Sequence, residues 1–149
     1  MLRFSTAAPR RALIAAAVLF LGAVPPSAPQ SVDDAVARVE EGLRAGDAEA
    51  VLTDASGRVE VILFGQGGMF RRAQATHVLR DFFRRYPPSR VAFAEQGSSD
   101  DGQTAVWRYW SQDGGAPLSV RVLHRQVDEE TWELVWVRID QRSTVRAGL

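Results

Sequence analysis

Two histidines, two tyrosines and no cysteine are what this 149-residue chain offers for imidazole, phenol or thiol chemistry. His77 falls mid-arc on the polar side of a helical pattern, flanked by arginines, and is expected to be solvated. His124 follows Leu118, Val120 and Val122 on one side of a strand-like run, which sets an imidazole at the end of an apolar row. A hydrogen-bonded histidine in or at the rim of a core is the expectation there. Two histidines without cysteine, and without an acid on the same helix turn or strand, do not build a metal centre, so no metal and no other cofactor is expected.

General acid–base work would need Tyr109, His124 and Glu95 to converge, and no spacing in the sequence makes them do so. Asp100, Asp101, Asp113 and Asp128 to Glu130 lie in turn-like stretches, where solvation explains them. All 18 basic residues are arginine. Arg71, Arg72, Arg80, Arg84 and Arg85 gather around one helix, where an anion-binding stripe competes with a solvated face of surface ion pairs. Trp107, Tyr109, Trp110, Trp132 and Trp136 crowd into two or three strands. On strict alternation Trp132, Leu134 and Trp136 share one face of the last strand, and Val135, Val137 and Ile139 the other. Either a conical cavity lined by Trp107 and Tyr109 or a sheet-to-sheet homodimer would absorb that surplus. Arg138 sits in the same run, and the expectation is that it lies buried against a carboxylate and ties the last strand to its neighbours.

The elements that must position these residues are legible from periodicity. Val32, Ala35, Val36, Val39 and Leu43 mark a first helix between a Ser31 cap and a Gly46 stop. Asp47 caps a short second helix anchored by Leu52, ending at Ser56-Gly57. Val59 to Phe64 is a strand, and Gly65 to Gly68 turns the chain back through Met69-Phe70. Ala73 to Tyr86 is the best-defined helix, and Pro87-Pro88 forbids its continuation. Strands then follow at Arg90 to Gln96, Gln103 to Ser111, Leu118 to Gln126 and Thr131 to Gln141, an antiparallel meander. Helices on one face of a bent, mostly antiparallel sheet give an α+β fold.

Ahead of this domain, Arg3, Arg10 and Arg11 precede the uncharged run Ala12 to Val24, and no acid occurs before Asp33. That run suits the apolar core of a signal peptide and is too short for the ~20 residues of a membrane span. Residues 1–30 are therefore read as a signal peptide with cleavage between Ala23 and Ser31. Residues 31–141 are read as one domain, and 142–149 as a flexible tail. The product would be exported, periplasmic or secreted, without a lipid-bearing cysteine or a stable membrane anchor. Loss of the three leader arginines leaves 15 basic against 18 acidic residues. That balance argues against nucleic acid as a partner.

The order of elements resembles the nuclear-transport-factor-2-like superfamily, also called cystatin-like, whose members fold as a cone. The likeness sharpens at Arg72-Ala-Gln-Ala-Thr with Leu79-Arg-Asp-Phe-Phe83 and Pro87-Pro88, at Gln96-Gly-Ser-Ser-Asp100, and at Trp132 with Val137-Arg-Ile-Asp140. Together these blocks resemble a bacterial exported family of unknown function within that superfamily, over about Val32 to Asp140. The resemblance implies the cone-like fold and no particular reaction. It also implies a small residue where Trp107 stands and an aliphatic one where His124 stands, so a reshaped pocket is expected, with Trp107, Tyr109, His124, Trp136 and Arg138 as its candidate binding residues. The expected function is a non-catalytic ligand-binding or protein-interaction module of the cell envelope. Its partner would be a small molecule, an envelope protein or a second copy. The alternative is a small cone-fold enzyme, an isomerase, dehydratase or hydrolase with acid–base residues in the cone.

Overall fold

A computed structural model of the chain describes residues 30–141. The leader reading, apart from its last residue Gln30, and the tail reading fall on residues outside that range. The element order is α1 (Val32–Ala45), α2 (Ala48–Val51), β1 (Arg58–Leu63), β2 (Gln66–Arg71), α3 (Arg72–Arg85), β3 (Pro88–Ser99), β4 (Gly102–Ser111), β5 (Leu118–Asp128) and β6 (Thr131–Gln141). One six-stranded sheet runs in the order β2-β1-β6-β5-β4-β3. All its pairs are antiparallel except β1 with β6.

The ends of α1 form as local chemistry dictates. The Ser31 hydroxyl accepts from the Asp34 amide at 3.1 Å while the Asp34 carboxylate accepts from the Ser31 amide, a reciprocal capping box. These bonds to Ser31 hold the Asp34 carboxyl below the usual aspartate value. Gly46 closes the helix in the left-handed conformation. Asp47 caps α2 by accepting from the amides of Glu49 and Ala50. α3 ends at Tyr86, ahead of Pro87 and Pro88.

Val36, Val39 and Leu43 of α1 and Ala75, Leu79, Phe82 and Phe83 of α3 pack onto one side of the sheet. They meet Val59, Val61, Trp107, Tyr109, Val120, Val122, Val137 and Ile139 in one continuous core. The apolar period of 3.6 on the helices and of 2 on the strands is thus satisfied against a shared centre.

Three details depart from periodicity. The hairpin turn is Phe64-Gly65, with φ of 53° and 78°, and Gln66 to Arg71 are already strand. Two consecutive positive φ values match the twist of a two-residue hairpin. A phenylalanine there carries roughly 1–2 kcal/mol of left-handed strain. The strand after α3 runs on to Ser99, so only Asp100 and Asp101 remain in the β3–β4 turn.

The third departure overturns the strict alternation expected of β6. Leu123 pairs with Trp136 but His124 pairs with Leu134, so Val135 is an unpaired bulge residue. Leu134, Val137 and Ile139 all face the core at 0 % exposure, while Trp136 joins Leu123 on the outer face. Backbone geometry explains the break: the Leu134 amide donates at 2.9 Å to the Asp54 carbonyl, whereas β1 takes up pairing with β6 only from Trp136 onward.

Gly42 lies in mid-helix against α2, where an added Cβ would stand 2.6 Å from the Val51 nitrogen. An exposed helical Gly→Ala change gains up to about 1 kcal/mol from propensity. Gly42→Ala is expected instead to lower the unfolding free energy by about 1–3 kcal/mol in urea titration, because backbone must move to admit the methyl.

Candidate functional site

The five candidate residues do not converge. Trp107, Tyr109 and His124 are buried at 0 % exposure on the helix side of the sheet. Trp136 and Arg138 stand outside that core: Trp136 shares the outer face with Leu123, and Arg138 is exposed. Within the core, Tyr109 pairs with Leu118 and His124 with Gln103. Six residues along β5 separate the two by about 20 Å, beyond reach of a shared proton.

Each inward aromatic is tied to a helix. The Trp107 indole nitrogen donates to Glu40 of α1 at 3.1 Å. The Tyr109 hydroxyl donates to the Tyr86 carbonyl at the end of α3, and its ring packs against Phe82 at 5.5 Å and Phe83 at 6.3 Å. Burial pushes the Tyr109 phenol well above its ordinary pKa. Phenol and indole thus hold the helices to the sheet, and both rings are buried in the core.

His124 departs from the hydrogen-bonded histidine expected. It is fully buried, and neither Nδ1 nor Nε2 has a partner. Desolvation, with a smaller repulsion from Arg38, lowers its pKa to about 4. Arg38 itself is held bidentately by Asp54 at 3.1–3.2 Å, and Gln30 donates to the same carboxylate at 2.9 Å. Burial raises the Asp54 pKa in spite of Arg38, so desolvation outweighs attraction in this pair.

Arg138 is not buried as expected, although it does meet a carboxylate, Glu60 of β1 at 3.0 Å, from an exposed position. Its guanidinium also lies 4.5 Å from the Trp136 ring centroid. On the same face Arg90 lies 4.7 Å from the Trp110 ring. Val106 pairs with Arg121, and Arg121 pairs directly with Arg138. Arg108, Ser119 and Asp140 form the next row. Arginine stacked on tryptophan is a favourable cation–π contact, and both residue types are enriched among the side chains that dominate protein interfaces. The sequence displayed the aromatics but not this pairing, because the bulge that brings Trp136 outward has no composition signal.

His77 is exposed, as the helical wheel implied. Arg80 pairs with Glu49 at 2.6 Å and Arg84 with Asp81, so much of the α3 stripe is a solvated face of ion pairs. Among the described residues no three His, Cys, Asp or Glu side chains are grouped as metal ligands would be.

A family model for a domain of unknown function, DUF4783, matches residues 36–140. The chain belongs to the DUF4783 family. Solved DUF4783 structures from Bacteroides ovatus and Bacteroides uniformis superpose with TM-scores of 0.64 and 0.63, at 18 % and 15 % identity. Each alignment covers 71 % of this chain and 94 % or 95 % of the relative. A nuclear-transport-factor-2-like protein of unknown function from Shewanella baltica matches at TM-score 0.56 and 15 % identity, over 74 % of this chain and 90 % of its own. No curated protein matches. This bacterial DUF4783 domain therefore has the cone-like α+β fold that its element order implied.

His124 generates a prediction about acid. Its folded pKa lies below the ordinary 6.5, so the native state holds the imidazole neutral while the unfolded chain takes a proton. Stability from this group is complete above pH 6.5 and falls as pH drops toward about 4. At 1.36 kcal/mol per unit the loss approaches 3 kcal/mol. His124→Leu should flatten the pH dependence of urea unfolding between pH 6.5 and 4 relative to the parent chain, without loss of stability at pH 7. An unchanged slope would show that His124 finds a proton partner in solution.

Proposed function

We propose that this DUF4783 chain is an exported, non-catalytic interaction module whose working surface is the outer face of its sheet. The observation that carries this reading is the division between the two sides. Trp107 and Tyr109 fill and tether the helix side, while the opposite side displays Trp110, Trp136, Arg90, Arg108, Arg121 and Arg138. Acid–base catalysis in the cone finds no support in a tyrosine and a histidine about 20 Å apart.

The first occupant of the outer face is a second copy. Arg108 on β4 and Asp140 on β6 flank Ser119 of β5 in one cross-strand row. A two-fold axis along β5, lying between two stacked sheets, sets each Arg108 against the partner's equivalent of Asp140, which is the self-complementarity an isologous dimer needs. The same axis brings Leu123, already buried within one copy, opposite itself and Arg121 onto itself as a repulsion. Light scattering of the chain lacking residues 1–30 should give twice the monomer mass. Asp140→Arg should leave a monomer, and Arg121→Gln should tighten the dimer, by several-fold at low salt. A concentration-independent monomer in the parent chain would sink the second-copy reading.

Export rests on the charged start and the apolar run of residues 1–30. Expressed in a Gram-negative host, the protein should accumulate outside the cytoplasm with a new N-terminus between Ala23 and Ser31, read by intact-mass measurement. Retention of Met1 on cytoplasmic protein would contradict it.

A further inference from the structure

A cleft of about 480 Å³ opens between the tip of the β1–β2 hairpin and the last turns of α3. It opens at the edge of the core, where Phe82 belongs to the core and Leu63, Val78 and Tyr86 pack against it. Leu63, Phe64, Val78, Phe82 and Tyr86 give it an apolar, largely aromatic wall, with Phe64 5.6 Å and Phe82 5.3 Å from Tyr86, ring centre to ring centre. This size and lining fit a small molecule.

Two observations point to an occupant. The first is Phe64. Its turn calls for asparagine, aspartate or glycine, since φ is positive at both central positions. A bulky aromatic there is a conformational outlier, and at 38 % exposure its ring recovers only part of the burial that would offset the strain. What the strained position achieves is to hold the ring over Tyr86 at the cleft's edge.

The second is charge. The polar rim consists of Asp81 and Arg85 with Gln66. Asp81 is already engaged by Arg84, whereas among the described residues Arg85 forms no ion pair. Beside the exposed Asp81–Arg84 pair, the cleft thus presents aromatic walls and one guanidinium without an ion pair, a group whose fork of N–H donors suits an anionic head group. We infer that this cleft binds a small amphiphilic acid, with its apolar body between Phe64, Phe82 and Tyr86 and its anionic group on Arg85.

The test uses two dyes of similar apolar body, the anionic anilinonaphthalene sulfonate and the neutral phenylnaphthylamine, titrated into the purified protein by fluorescence. Amide chemical shifts locate each dye. Both should bind, and both should move the amides of Phe64, Gly67, Phe82 and Tyr86. Arg85→Gln should weaken the sulfonate about tenfold and leave the neutral dye unchanged. Phe64→Asn, which suits the turn, should keep or raise the melting temperature while weakening both dyes at least about fivefold. The inference is overturned if neither dye saturates below millimolar concentration or if Phe64→Asn binds like the parent. It is also overturned if Arg85→Gln affects both dyes equally, or if the shifted amides are those of Arg108, Arg121 and Trp136. In that last case the dyes report the outer face, and the dimer reading is untouched.

Discussion

Leu123 pairs with Trp136 and His124 with Leu134, so Val135 enters β6 without a partner, and the assignment of side chains to the two faces of the sheet depends on that one extra residue. A period of two has no tolerance for an insertion: without the bulge, either Leu134 or the pair Val137 and Ile139 would leave the core. With it, all three are buried and Trp136 is placed where Arg138 can lie over its ring. The bulge is held from outside the sheet, by the Asp54 carbonyl accepting from the Leu134 amide. Asp54 in turn anchors Arg38 through its side chain, so the turn after α2, the N-terminal half of α1 and the middle of β6 form one connected support.

His124 lies beside this support and bears its cost. An imidazole with two unpartnered nitrogens, fully buried and repelled by Arg38, is a local conflict in an otherwise consistent core. At the far end of β5 the core is resolved differently: Tyr109 finds the Tyr86 carbonyl that Pro87 and Pro88 leave free at the end of α3. One end of the sheet is thus stapled by a satisfied phenol, and the other carries an unpartnered imidazole whose protonation burial disfavours.

Much of this was legible in the residues. Ser31, Gly46, Asp47 and Pro87 marked helix ends by their own chemistry, and four strands at turn spacing gave the meander and its α+β layering. The sequence also carried the family likeness in Arg72 to Phe83. What stayed hidden depended on non-local pairing. The parallel join of β1 to β6 leaves no local signature, and neither does a bulge stabilised by a carbonyl 80 residues away. For the same reason Trp107 and Trp136, similar in local context, could not be assigned to opposite sides. Phe64 escaped notice because its strain contradicts the preference by which turns are recognised, and the glycines after it drew the turn two residues too late.

We propose that the outer face of the sheet meets a partner while the buried side stays packed. Fluorotryptophan labelling tests it directly, because the four indoles sample both sides. As protein concentration is raised in fluorine NMR, the resonances of Trp110 and Trp136 should shift and broaden while that of Trp107, fixed to Glu40, stays in place. A Trp107 resonance that responds while Trp110 and Trp136 do not would contradict the account.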